Sequence, residues 1–232
     1  MRRSFLTAIW TLASLPLLSC TSPPRLATPA ATQPHAAAAA PAGARRYRID
    51  TAASEIRLLV YRGGPMARLG HNHVIVDRAI TGTVDVAEPV TASRLALSIP
   101  VSGFVVDDAT ARAEEGADFA TVVDEGARTG TLRNMLGESL LDGAHHATID
   151  IDGTGIEGTE PDLRATLRVT IRGETRELRV PFELRREADT LTATGSTRLT
   201  HAQLGLTPFR VMLGALAVED GFDVKFRLVA RR

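Results

Sequence analysis

From residue 45 to the C-terminus, apolar and polar side chains alternate with a period of two through eight separate runs, and that pattern admits few folds. Ile56, Leu58 and Val60 alternate with Glu55, Arg57 and Leu59. Ile80, Gly82, Val84 and Val86 form the second apolar stripe, and Leu95, Leu97, Ile99 and Val101 the third. Ile149 and Ile151 follow, then Leu163, Ala165, Leu167, Val169 and Ile171 set against Arg164, Thr166, Arg168 and Thr170. Leu178, Val180, Phe182 and Leu184, then Leu191, Ala193 and Leu199 around a Gly195 break, and finally Phe222, Val224, Phe226 and Leu228 complete the series. A period of two places successive side chains on opposite faces of a strand. Strands with one apolar face belong to antiparallel sheets, because buried parallel strands read as continuous apolar runs. Gly and Asp punctuate the gaps, and Arg172-Gly173-Glu174-Thr175 has the spacing of a tight hairpin.

One region, roughly 107–138, reads as helical, with Phe119, Val122, Val123, Leu132, Met135 and Leu136 among many charges. One or two short helices cannot cover the apolar face of eight strands. The sheet must cover itself, as a sandwich or a closed barrel. Sequential hairpins and long strands favour an up-and-down barrel, and eight strands enclose room for one small ligand. Asp107 and Asp108 are expected at the start of the helical region as a cap or first-turn acid.

The N-terminus reads as an address. Arg2 and Arg3 precede an apolar run over 5–18, too short for a spanning helix of roughly 20 residues but suited to the core of a secretory signal. It ends in Leu17-Leu18-Ser19-Cys20, which resembles the lipobox of bacterial lipoproteins, where cleavage leaves an acylated cysteine as the first mature residue. Cys20 is the chain's sole cysteine, so neither a disulfide nor a Cys-ligated metal belongs to the fold. The other reading is an ordinary signal peptide and a free thiol. With Thr21 rather than Asp at the next position, the lipobox reading favours an outer-membrane anchor in a host with two membranes. Residues 21–44, rich in Pro and Ala, are expected to be an extended tether. The expected organisation is a signal over 1–20, a tether over 21–44 and one domain over 45–232.

Composition narrows the function. The chain carries 27 basic and 27 acidic side chains, without the basic surplus that phosphate binding demands, and only 4% aromatics, so nucleic acid is not an expected partner. No nucleophile elbow, phosphate loop or paired-carboxylate arrangement stands out, and no enzymatic activity is expected.

Several segments follow one another in a set order. These are Tyr47-Arg48-Ile49-Asp50 with Ser54-Glu55-Ile56; Asp107-Asp108 through Glu114-Glu115-Gly116-Ala117-Asp118-Phe119; and Thr131-Leu132-Arg133-Asn134-Met135-Leu136 with Leu141-Asp142. The hairpin from Leu167 to Arg176, Gly195-Ser196, Leu204-Gly205-Leu206-Thr207-Pro208 and Val218-Glu219-Asp220 follow. In this order, over nearly all of 46–230, the chain resembles the YceI family. The resemblance implies an eight-stranded antiparallel, lipocalin-like β-barrel with one or two short helices between strands 3 and 4. It also implies an apolar tunnel for a polyisoprenoid or similar amphiphilic lipid, in an exported, periplasmic protein. The chain departs from the family pattern at Ala144-His145-His146 and at Gly70-His71-Asn72-His73, both of which add histidine.

Those histidines are the chief candidates for polar chemistry. His71 and His73 stand two apart, so on a strand they share a face, and His145, His146 and His201 are able to join them if the fold brings them near. Two readings stay open. The histidines form a polar cluster at the barrel mouth that binds a lipid head, or they chelate a divalent metal or serve a haem-linked accessory role. No Cys-x-x-Cys-His is present, so covalent haem is excluded. Arg133 and Asn134 are candidates for the lipid's polar end, Arg133 either holding a phosphate or pairing with Glu138 or Asp142. Ala165, Phe182 and Phe226 are expected to line the tunnel, and small inward residues such as Gly82, Ala165 and Ala193 to leave room along its axis.

Overall fold

A computed structural model of the chain describes residues 39–232. The signal, the lipobox with Cys20, and residues 21–38 of the tether lie outside the described residues. Twelve strands and two α-helices follow in chain order: β1 (Arg45–Ile49), β2 (Glu55–Gly63), β3 (His73–Asp77), β4 (Thr81–Val86), β5 (Arg94–Pro100), β6 (Val105–Val106), α1 (Ala109–Ala113), α2 (Glu125–Leu136), β7 (Thr148–Thr159), β8 (Asp162–Ile171), β9 (Glu174–Glu187), β10 (Thr190–Thr200), β11 (Arg210–Val211) and β12 (Leu216–Arg231).

Their pairing makes one closed, antiparallel barrel of eight staves. β1 and β2 act as a single bent stave, since β1 pairs with β4 and the end of β12 while β2 pairs with β3 and the rest of β12. β3 with β4, and β5 with β6, are bent staves in the same way. β7, β8, β9, β10 and β12 are the other five, each paired with the next, and β12 returns to the first stave to close the ring. These eight staves are the eight alternating runs of the sequence. The closed ring leaves no long sheet edge unpaired, and every stave lies within residues 45–231.

The bends have local causes. Between β1 and β2 a single 3-10 turn, Thr51–Ala53, interrupts the ladder, and buried Ser54 stitches the corner down, accepting from the Val229 amide at 3.0 Å and donating to its carbonyl at 3.3 Å. Between β3 and β4 the Asp77 side chain accepts from the Ala79 amide at 2.7 Å, a local turn that competes with the ladder. Between β5 and β6, Pro100 donates no hydrogen bond and a 3-10 turn, Val101–Gly103, follows it. The β8–β9 hairpin turns on two residues, Arg172 at φ 54° and Gly173 at φ 76°, the doubly left-handed geometry that matches the strands' twist.

The chain between β6 and β7 carries both helices, as the position between strands 3 and 4 predicts. Asp108 caps α1, accepting from the Ala111 amide at 3.0 Å, and Asp124 caps α2, accepting from the Ala127 amide at 2.8 Å. Asp107 is not a cap. It sits in the left-handed region at φ 55° with its side chain buried, a conformation Asp tolerates better than most residues. The α1 segment covers the outside of the wall, where Leu59, Val74 and Val76 pack under Ala111 and Phe119. That cover explains why Leu59 is apolar on a face otherwise polar. Inside the barrel, Ile75, Leu97, Ile99, Val169, Ile171, Leu178, Val180 and Phe222 belong to the principal core.

Gly82 does not widen the interior. It adopts φ 150°, and a Cβ there would lie 2.2 Å from the Ala96 carbonyl oxygen, so the residue is glycine because two strands' backbones approach closely.

Candidate functional site

The inward stripes enclose a cavity of about 670 Å³, within the range of ordinary small-molecule sites. Its walls are the alternating residues themselves: Ile56 and Leu58 of β2, Leu97 of β5, Leu167 and Val169 of β8, Val180 and Phe182 of β9, and Val224 and Phe226 of β12, among others. Toward one end, buried Tyr47 packs with the lining residues Val86, Leu191 and Ala230 in a small apolar cluster, and Ser93 and Arg94 join the lining there. The other end meets α2, which presents Ala127, Gly130, Thr131, Asn134 and Met135. Those five positions fall on a single helical stripe of three- and four-residue steps. Ala230 and Phe222 both line the cavity eight residues apart on one strand. At about 3.3 Å per residue and a strand tilt near 40°, the chamber is roughly 20 Å deep.

Ala165, Phe182 and Phe226 line this cavity, as does Ala193. Ala165 lies between Ile156 and Val180 across the ladder. Gly195 faces Phe226, and a Cβ there would come within 2.5 Å of the ring's Cζ, so the Gly195 break in the alternation makes space for that ring.

Polar groups gather at the α2 end. His71, His73, Asn134, Thr131, Arg62 and His201 all contribute to the lining. His73 is the most tightly held. Its Nδ1 donates to Asp107 Oδ2 at 2.7 Å, and its Nε2 lies 3.2 Å from Thr131 Oγ1, which donates to it when the ring is neutral. Asp107 is in turn surrounded by donors, its Oδ1 accepting from the Val74 amide at 2.9 Å and from Arg112 Nη1 at 2.6 Å. Arg112 also donates to the Asn72 and Thr121 carbonyls. Burial pushes the Asp107 carboxyl up, but the His73 hydrogen bond, the Val74 amide and the neighbouring Arg112 outweigh it and hold the group below the usual carboxylate range. The chain Arg112–Asp107–His73–Thr131 therefore fixes the imidazole's orientation and ties α2 to the barrel mouth.

The remaining histidines do not join this pair as a cluster. The rings of His71 and His73 are 6.2 Å apart, edge to face. His201 is buried, its Nδ1 donating to the Asp220 carbonyl at 2.8 Å and its ring 5.0 Å from Phe222. His145 and His146 sit at the turn after α2 against Asp142, at 2.8 and 4.0 Å. The Asp142 hydrogen bond pushes the exposed His145 up from its ordinary value. Among the described residues, no group of three or more His, Cys, Asp and Glu side chains is placed to hold a metal ion. Arg133 is exposed on α2, off the cavity wall, one residue short of the stripe that carries Asn134.

Asp107, Arg112 and Thr131, like Arg62, are absent from the sequence-based candidates. Asp107 reads as a cap because acidic residues before a helix usually are caps, and Arg112 reads as one more surface charge. Thr131 lies within the expected helix, where only the barrel's placement against it distinguishes it from any other threonine.

Comparison with known proteins agrees with this architecture. The family profile described as "YceI-like domain" matches residues 47–230. No curated protein matches the chain in sequence. Among solved structures, BcnA of Burkholderia cenocepacia superposes with a TM-score of 0.58 at 14% identity, covering 78% of this chain and 98% of that one. A YCEI protein of Campylobacter jejuni reaches 0.47 at 10% identity, covering 66% and 81%. With an eight-stave barrel, the helical insertion between its third and fourth staves and a profile match across nearly the whole described domain, the chain belongs to the YceI-like family.

Proposed function

We propose that this protein is a non-enzymatic binder of an amphiphilic lipid with a polyisoprenoid or similar apolar chain, held in the barrel with its polar end at α2. One observation carries the reading: a chamber of about 670 Å³ with largely apolar walls, whose polar side chains concentrate at the α2 end. A buried methylene gains about 0.8 kcal/mol. Such a wall rewards a long hydrocarbon and offers a water-soluble substrate almost nothing. His71, His73, Thr131 and Asn134 supply the donors and acceptors for the head. Because both ring nitrogens of His73 already have partners, that residue serves as an oriented hydrogen-bonding group rather than a metal ligand. The same reading makes the protein an exported lipoprotein, acylated at Cys20 and facing the periplasm from the outer membrane. Purified protein extracted with organic solvent should release one class of apolar chain in near-stoichiometric amount by mass spectrometry. Release of only a water-soluble metabolite, or of nothing at any step of preparation, would overturn the assignment.

A further inference from the structure

The cavity's α2 end carries an apolar rim that the barrel itself does not use. Leu213 is fully exposed, Met212 is 65% exposed and Leu69 59%, with Phe209 exposed beside them. Leu69 and Phe209 also line the cavity, so the exposed surface runs continuously into the binding chamber. Two loops build it. Residues 64–70 and 209–216 are joined by the Met66 amide donating to the Ala215 carbonyl at 2.8 Å, and the Val218 amide donates to the Phe209 carbonyl at 2.9 Å. Met212 and Leu213 stand at φ 52° and 55°, successive left-handed positions that disfavour any side chain with a Cβ. Strain of this kind, spent on pointing two large apolar groups into water, is a feature of sites made for contact. Exposed Arg62, Arg68 and Arg210 flank the patch. The nearby carboxylate of Glu219 lies 3.8 Å from Arg198. Among the described residues, the loops at the opposite end, beside Tyr47, expose no large apolar side chain.

We infer that this rim docks on a lipid bilayer, with Leu213 and Met212 entering the acyl region and the arginines meeting anionic headgroups. A chain that passes between bilayer and cavity through such a contact never crosses water. Apolar insertion combined with basic flanking residues is the general recipe for interfacial binding, and its occupant is a membrane because the rim opens into a chamber fit for a membrane component. On the anchoring reading, the 24 residues between Cys20 and β1 reach at most roughly 80 Å. That is several times the depth of the barrel, so the tether leaves either end free to face the bilayer. Docking of this kind serves the lipid-binding reading above, but it is measured separately.

The test places a reporter at the tip. Trp10 is the chain's sole tryptophan, so Leu213→Trp in a Trp10→Phe background gives one emitter at the rim, and Asp189→Trp in the same background gives one in the β9–β10 turn at the opposite end. Each full-length variant is combined with phosphatidylethanolamine–phosphatidylglycerol vesicles whose acyl chains carry bromine. Emission at 213 should shift to the blue and be strongly quenched, while emission at 189 stays as in buffer, irrespective of the N-terminal anchor. Unquenched emission at 213, or equal quenching at both positions, would overturn the docking. Solvent extraction of the same samples reports the cavity independently. An empty cavity with a quenched tip would defeat the lipid-carrier reading and leave the docking standing.

Discussion

Replacing Asp107 by Asn should destabilise the domain out of proportion to the one atom changed. The Asp107 side chain is 1% exposed and the Arg112 side chain 10%, and every neighbour of the carboxylate is a donor: the Val74 amide, Arg112 Nη1 and His73 Nδ1. An asparagine retains one acceptor and turns an NH₂ group toward another donor, while the Arg112 charge stays buried without its counter-charge. Breaking a buried pair from one side costs about 3–5 kcal/mol. For a domain of this size that lowers the melting temperature by roughly 6–20 °C. The sign of the pH dependence follows from the depressed folded-state value of Asp107. Its stabilisation is fully present above the unfolded carboxyl value near 3.9 and is lost as the pH falls through the lower folded value. Circular-dichroism melts of Asp107→Asn and wild type should therefore run parallel from pH 7 down to about 5 and converge below 4. A variant within a degree or two of wild type at pH 7 would refute the role given to this carboxylate.

Other perturbations test separate parts of the account. Ala165→Phe places a ring in the chamber beside Ile156 and Val180. By displacing about three or four methylenes of ligand it should weaken lipid binding by about a hundredfold in a titration, with the empty protein's melt little changed. Asp77 is fully buried, one of its oxygens has no hydrogen-bond partner among the described residues, and burial pushes its carboxyl up. Its cost is absent below the unfolded value near 3.9 and grows as the pH rises through the folded one, so Asp77→Asn should melt higher than wild type at pH 7 by about 1–3 kcal/mol of stability and show no gain at pH 3. Cys20→Ser should abolish acylation and leave the protein unprocessed or released in soluble form; a variant that is cleaved and fractionates with membranes as wild type does would remove the anchor.

The barrel was legible because closure is a global consequence of a local pattern. Stripes such as Leu163 to Ile171 face one way whatever their partners are, and eight of them with only two short helices must cover one another, as a barrel or a sandwich, with the sequential hairpins favouring the barrel. The lining fell out of the same rule, which is why Ala165, Phe182 and Phe226 stand where the alternation puts them. The rule fails where a residue's role depends on distant backbone. Gly82 looks like an inward small residue but answers to the Ala96 carbonyl across the ladder. Arg133 and Asn134 are neighbours in sequence, but the 100° step of a helix sends one to solvent and the other to the cavity. The Arg112–Asp107–His73–Thr131 chain joins three separate segments, and nothing in their spacing announces the contact. The division of the histidines into oriented, buried and surface members has the same origin, since His73, His201 and His145 differ in the acceptor each finds and not in local sequence.

The central claim is the occupied chamber, and native mass spectrometry addresses it most directly. Delipidated protein, incubated with a long-chain polyisoprenoid lipid, should gain a single adduct of one ligand per barrel. Ligand at a hundredfold its dissociation constant stabilises by about 2.7 kcal/mol, so the melting temperature should rise by roughly 5–11 °C. A spectrum that shows only the empty mass, together with a melt that stays unmoved across the titration, would contradict the account.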